Sequence, residues 1–227
     1  MRRFPILDAW RSLAVVLMLV YHFLYDLYIF GVMAPERLFG PPLHLMQQFI
    51  CWSFILLAGM SARFSRNNLR HGLTVLAAGL AVEIGAAVAG QTIRWGVLML
   101  LGSSMVLYHF LGKYLERLPS LGLSFTCLGL FFAAKAWTKA AVVSVGWLYP
   151  LGFTAPGFFS ADYFPLLPWF FLFLLGTGLG GWCLRNRESQ ILTAPLPRVL
   201  TWPGRHSLMI YVLHQPVLYG ISYLIWG

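Results

Sequence analysis

Charge is what this sequence has least of: Asp, Glu, Lys and Arg make up 10% of its 227 residues, and only seven of them are acidic. A chain so poor in charge cannot clothe itself in a hydrated surface, which excludes an ordinary soluble domain. Cysteine is nearly as scarce. The three present, Cys51, Cys127 and Cys183, lie far apart in apolar surroundings. That excludes a disulfide framework and the paired-thiol spacing of zinc or redox centres, and leaves packing or lipid contact as their use. No long polar stretch separates the apolar runs, so no soluble module is expected and residues 1–227 read as a single domain. Fixed-period repeats and low-complexity tracts are also missing.

What the chain does have is apolar surface, with 59% hydrophobic residues. Runs such as Leu13 to Val20, Phe54 to Gly59 and Leu166 to Gly181 suit helices crossing a hydrocarbon core of about 30 Å. Spans are predicted near 12–31, 43–62, 70–89, 95–111, 118–135, 164–183 and 205–226. The expected fold is an all-α integral membrane protein, a bundle of about seven transmembrane helices. The basic start Met1-Arg2-Arg3 resembles a signal peptide, but His22 and Asp26 interrupt the apolar run and no small-residue cleavage site follows, so a retained helix is expected.

The formal charge of +9 raises nucleic acid as a partner, yet the cations are scattered in short loops, where they orient membrane proteins instead. Alternating the loops assigns Arg2, Arg3, Arg11, Arg63, Arg66, Arg70, Lys113, Arg117, Arg185, Arg187, Arg198 and Arg205 to one side, leaving Arg37, Arg94, Lys135 and Lys139 on the other. Cationic loops stay cytoplasmic, so the N-terminus is expected inside and the C-terminus outside. The segment 136–163 is apolar but broken by Gly146, Pro150, Gly152, Pro156 and Gly157, and reads as re-entrant or interfacial.

The first span carries a polar stripe. At about 100° per residue, Asp8, Arg11, Val15, Met18, His22 and Asp26 share an arc of about 80°. His22 lies about 16 Å deeper than Arg11, near mid-membrane. Asp26 follows it by one turn, where its carboxylate can accept a hydrogen bond from one ring nitrogen and raise the basicity of the other. That is the form of an oriented general base. The same pair could serve only as hydrogen-bonded glue between helices, although ionisable groups inside a membrane are more often functional.

In the last span Ser207, Tyr211 and His214 share a face, and Gln215-Pro216 is expected to interrupt the regular hydrogen-bond ladder just beyond them. The phrase Gly204-Arg205-His206-Ser207 offers backbone N–H groups and a cation, which suit a phosphate or an ordinary helix cap equally. Glu83, in the third span, should be neutral or paired across helices. Asp162 stands before the sixth span, where it could cap that helix or touch an acceptor substrate. His44, His71 and His109 fall near span ends and read as interfacial anchors.

The phrase Leu7-Asp8-Ala9-Trp10-Arg11-Ser12-Leu13-Ala14, leading to His22, resembles the opening helix of the transmembrane acyltransferase superfamily. Two further phrases resemble its bacterial branch similar to the heparan-α-glucosaminide N-acetyltransferase catalytic domain, also known as a domain of unknown function. They are Ala161-Asp162-Tyr163-Phe164-Pro165-Leu166-Leu167-Pro168-Trp169, with Gly176 and Gly180 after it, and Gly204-Arg205-His206-Ser207-Leu208 leading to Leu213-His214-Gln215-Pro216-Val217. The resemblance runs from about residue 3 to residue 225. Ser12 stands where relatives commonly have glycine, and Met99 where many have histidine.

The resemblance implies acyl transfer across the bacterial cytoplasmic membrane, from acetyl-CoA or another acyl-CoA to a hydroxyl or amine of an extracytoplasmic sugar or glycan-like acceptor, with no metal. Arg11, Arg205 and Ser207 would then hold the CoA, His22 would act as base with Asp26 orienting it, His214 and Tyr211 would relay a proton or polarise the carbonyl, and Asp162 and Tyr211 would meet the acceptor. Membrane lipids and a homodimer partner are further expectations, and no nucleic acid. The alternatives are a proton-coupled transporter, a lipid or glycan flippase, or a non-catalytic membrane protein of the same fold.

Overall fold

The computed structural model describes residues 4–141 and 146–227, so Arg2 and Arg3 of the charge argument, and residues 142–145 of the broken segment, lie outside the described residues. All regular structure among those described is helical. The long helices are α1 (Pro5–Ile29), α3 (Pro41–Phe64), α4 (Asn68–Val88), α5 (Val97–Leu115), α6 (Ser120–Ala140), α7 (Leu166–Arg185) and α10 (Ser207–Trp226). Short ones are α2 (Pro35–Leu38), α8 (Gln190–Thr193) and α9 (Arg198–Arg205), with a 3₁₀ turn at Gly146–Leu151. Seven of these helices are long and apolar enough to cross a membrane, one for each predicted span. The chain is an all-α integral membrane protein.

The described residues divide into two compact units, Met1–Phe54 with Arg187–Gly227, and Ile55–Asn186, the boundary falling inside α3. In the first unit α1 packs on α9 and α10. The Gly204 N–H donates to Ser12 Oγ over 2.8 Å, Gln215 Nε2 to Asp26 Oδ1 over 2.7 Å, and Phe30 meets Tyr219 at 5.4 Å. Residue numbers rise together along both helices, so α1 and α10 run parallel, as the first and last of seven alternating spans must.

The second unit is knit where small residues let helix backbones touch. A Cβ on Gly59 would fall 2.1 Å from Phe173 O, and one on Gly176 would fall 2.3 Å from Leu56 O, so α3 and α7 cross at these glycines. Lipid tails are as apolar as leucine, so close van der Waals approach is the main attraction available between such helices. We therefore expect Gly176→Ala to force the pair apart and destabilise the unit by about 1–3 kcal/mol. An unchanged thermal unfolding midpoint in detergent would contradict that packing. Elsewhere in this unit Arg63 pairs with Glu116 at 3.1 Å while the buried Tyr108 hydroxyl donates to the same carboxylate at 3.0 Å, tying α3 to α5.

Pro216 lies inside α10 and removes one amide from its ladder, but the helix runs on, because a helix whose neighbours hold it tolerates one missing amide. The predicted start of the last span is corrected. Gly204 and Arg205 do not begin the last span; they end α9, and α10 starts at Ser207.

Candidate functional site

α1 is amphipathic in the sense opposite to a soluble helix. Val15 and Met18 are each 1% exposed and Asp26 is 0% exposed, whereas Leu13, Val16 and Val20 on other faces are 45–51% exposed. The polar stripe thus faces protein, and the apolar side is left for lipid.

Two turns before the C-terminal end of α1, His22 meets His214 of α10 edge to face, with ring centroids 4.7 Å apart and planes at 80°. These residues are far apart in sequence, and the parallel register of α1 and α10 brings them together. His22 Nδ1 lies 2.9 Å from Met18 O, and His214 Nδ1 lies 2.6 Å from Tyr211 O. A carbonyl can only accept, so Nδ1 carries the hydrogen in both rings, and each neutral imidazole keeps its lone pair on Nε2. Both rings are thereby prepared as proton acceptors at Nε2. Tyr211 flanks the pair, its ring 5.5 Å from that of His214.

This changes the part assigned to Asp26. The expected hydrogen bond from His22 is absent: the ring turns back to the carbonyl one turn below, and Asp26 Oδ1 accepts from Gln215 Nε2 instead. The carboxylate reaches across to α10 because a carbonyl of the same helix already satisfies the imidazole. Gln215, which the sequence offered only as part of an interruption in the hydrogen-bond ladder, is the residue that reasoning missed; its place next to His214 was the available signal.

At the N-terminal end of α1, Asp8 lies between two cations. Arg11 Nη1 is 3.4 Å from Oδ1 and Arg205 Nε is 3.2 Å from Oδ2. The trio carries a net positive charge and is partly open, the Arg205 side chain being 37% exposed. The predicted pair of basic residues is therefore brought together, with Asp8 of the same polar stripe between them. The N–H groups expected to be free for an anion are not: Gly204 N donates to Ser12, and His206 N to the Trp202 and Pro203 carbonyls of α9. Ser207 opens α10 beside them.

Gly204 and Ser12 explain each other. A Cβ on Gly204 would stand 2.1 Å from Asp8 O, so only glycine lets α9 lie this close, and the Ser12 hydroxyl that receives its N–H donates in turn to Asp8 O at 2.9 Å. The serine thus stitches α9 to α1. Replacing it with alanine should leave the Gly204 N–H buried and unpaired, costing about 1–3 kcal/mol. A thermal midpoint matching that of the parent would argue against this stitch.

In the other unit, Asp162 does not cap the helix that follows it. Its Oδ2 accepts from Val97 N at 3.0 Å and so caps α5, where Glu83 Oε1 also accepts from Gly96 N at 3.2 Å. Two carboxylates are drawn there by the positive end of a helix, which also answers how Glu83 is accommodated. Ser160 Oγ accepts from Arg94 N and Tyr163 Oη donates to Tyr149 O, closing the loops around this cap. Burial first, then the neighbouring Tyr149, pushes the Tyr163 hydroxyl up to about 12, so it remains a donor at any physiological pH. Trp95 at its centre adopts φ 58°, a left-handed conformation rare for a bulky residue.

Residues 3–216 match the family model described as heparan-alpha-glucosaminide N-acetyltransferase, catalytic. The chain belongs to this family. No curated protein and no solved structure matches it significantly. Membership makes the chain a membrane protein of acetyltransferase type, and the matched region includes the histidine pair, the Arg11–Asp8–Arg205 trio and Gln215.

Proposed function

We propose that this protein is an acyltransferase, a single functional domain over residues 1–227, that moves an acetyl or other short acyl group from cytoplasmic acyl-CoA to a hydroxyl or amine of an extracytoplasmic sugar or glycan-like acceptor. The observation that carries the reading is the pairing of His22 with His214, each with Nδ1 donated to its own helix and Nε2 left as a base.

Bound acyl-CoA supplies the thioester carbon that the acceptor attacks. His22 Nε2 takes the proton of the attacking hydroxyl or amine, His214 stands next to it to share that proton, and the proton finally returns to the departing thiolate sulfur. Arg11 and Arg205 suit the phosphates of CoA, since an anion arriving beside Asp8 meets two fixed cations and completes their charge; Ser207 adds a hydroxyl at the same end. Of the residues expected to meet the acceptor, Tyr211 flanks His214, while Asp162 Oδ2 is engaged at α5. Tyr211 is therefore the residue that meets the acceptor. With the cationic end of α1 inside, the N-terminus is cytoplasmic.

The test is acyl transfer from labelled acetyl-CoA by protein reconstituted in liposomes, with an amino sugar or glycan offered in the lumen. Labelled product that depends on His22 supports the reading. Proton-coupled flux with no acyl-CoA present, and no labelled product, would make the protein a transporter instead.

The cap at α5 gives a separate expectation. Asp162→Ala should lower stability by about 0.5–2 kcal/mol, while the KM for acceptor stays unchanged in the folded fraction. A large rise in that KM would restore Asp162 to the substrate site.

A further inference from the structure

The mechanism above leaves one deeply buried acid unused. Asp26 is 0% exposed, and no described lysine or arginine forms an ion pair with it. Its one hydrogen bond comes from Gln215, at 2.7 Å across the α1–α10 contact. Three polar atoms in this neighbourhood are buried without partners: Asp26 Oδ2, Gln215 Oε1 and His214 Nε2. With His214 Nδ1 donating to Tyr211 O, all three are acceptors when the imidazole is neutral and Asp26 is ionised. A site made only of acceptors, one helical turn from His22, is matched when a proton enters it and poorly matched when none is there. Asp26 follows His22 by one turn on α1, and Gln215 adjoins His214 on α10, so the carboxylate and the two rings are joined through the same pair of helices.

We propose that Gln215 is a positioning residue for the acyl transfer: its amide fixes Asp26 Oδ1, holding the carboxylate beside the histidine pair as the counter-charge to the proton taken from the acceptor. This rests on the acyltransferase reading. It replaces the direct histidine–aspartate contact expected from sequence with an indirect one, in which α10 supplies both the second imidazole and the group that orients the acid. The amide suits this task because it donates without carrying charge, so it orders Asp26 and leaves the negative charge available. A lysine there would cancel that charge, and a leucine would leave the carboxylate free to turn.

Two measurements test it together. In the infrared spectrum of the substrate-free protein, the Asp26 carboxyl band, identified by its loss in Asp26→Asn, should shift in Gln215→Leu as the hydrogen bond disappears. In the transfer assay, Gln215→Leu should lower kcat about ten- to a hundredfold with the KM for acetyl-CoA unchanged. The exchanged pair Asp26→Asn with Gln215→Glu, which keeps one amide and one carboxylate in contact, should recover most of the loss. A residue serving only as interhelical glue would lower stability and leave the kcat of folded protein intact, and that result overturns the proposal. So does an unshifted infrared band, or an exchanged pair no more active than Gln215→Leu. A parent protein that binds acetyl-CoA but transfers nothing overturns the acyltransferase reading itself, and is distinguished from these by the inactivity of the unaltered chain.

Discussion

His22→Ala is expected to lower kcat for acyl transfer by about a hundred- to ten-thousandfold, the range that a positioned general base contributes. The protein should still fold, because the ring's hydrogen bond is to a carbonyl of its own helix, at Met18, and its loss leaves no donor on α10 unpaired. His214→Ala should have a smaller effect if His22 takes the first proton, and a comparable one if the two rings act as a unit. Comparing the single and double variants separates these cases, since groups that act together are strongly non-additive. Transfer at the parental rate by well-folded His22→Ala would end the assignment of that ring as the base.

Arg205→Gln should raise the KM for acetyl-CoA about ten- to a hundredfold with little change in kcat. A hydrogen bond to a charged group is worth about 1.5–3 kcal/mol, and each 1.4 kcal/mol is about tenfold in affinity. The loss should fall on binding because Arg205 stands at the end of the helix pair, near Asp8 and Ser12, while the rings lie further along. Removing Arg205 also leaves Asp8 with Arg11 alone, so the remaining pair is neutral and attracts phosphate less. Isothermal titration of the detergent-solubilised variant with CoA reads the binding change directly. Unaltered CoA affinity would move the nucleotide site elsewhere.

Much of the fold was legible because a bilayer imposes a rule that needs no tertiary information: a helix must be long and apolar enough to cross it. Each of the seven long helices lies on one predicted span, with ends moved by a few residues except at α1, which starts earlier, at Pro5. Proline at the first helical position fits that start, since the amide it lacks would have no partner there. The inward-facing stripe was equally visible, as helical period alone placed Val15, Met18 and Asp26 on a common face.

What the sequence determined by itself was thus the membrane class, the number of spans, the buried face of α1 and, through its motifs, the family. Which polar atoms touch was decided only by tertiary structure. The glycine contact at Gly204 and the parallel register of α1 with α10 join His22 to His214, Asp26 to Gln215 and Asp8 to Arg205. Spacing along one helix places Asp26 within reach of His22, but it cannot say whether a carbonyl below or an amide opposite will claim the hydrogen bond first. That choice depends on directions and distances between separate helices, which a hydrophobic period does not encode.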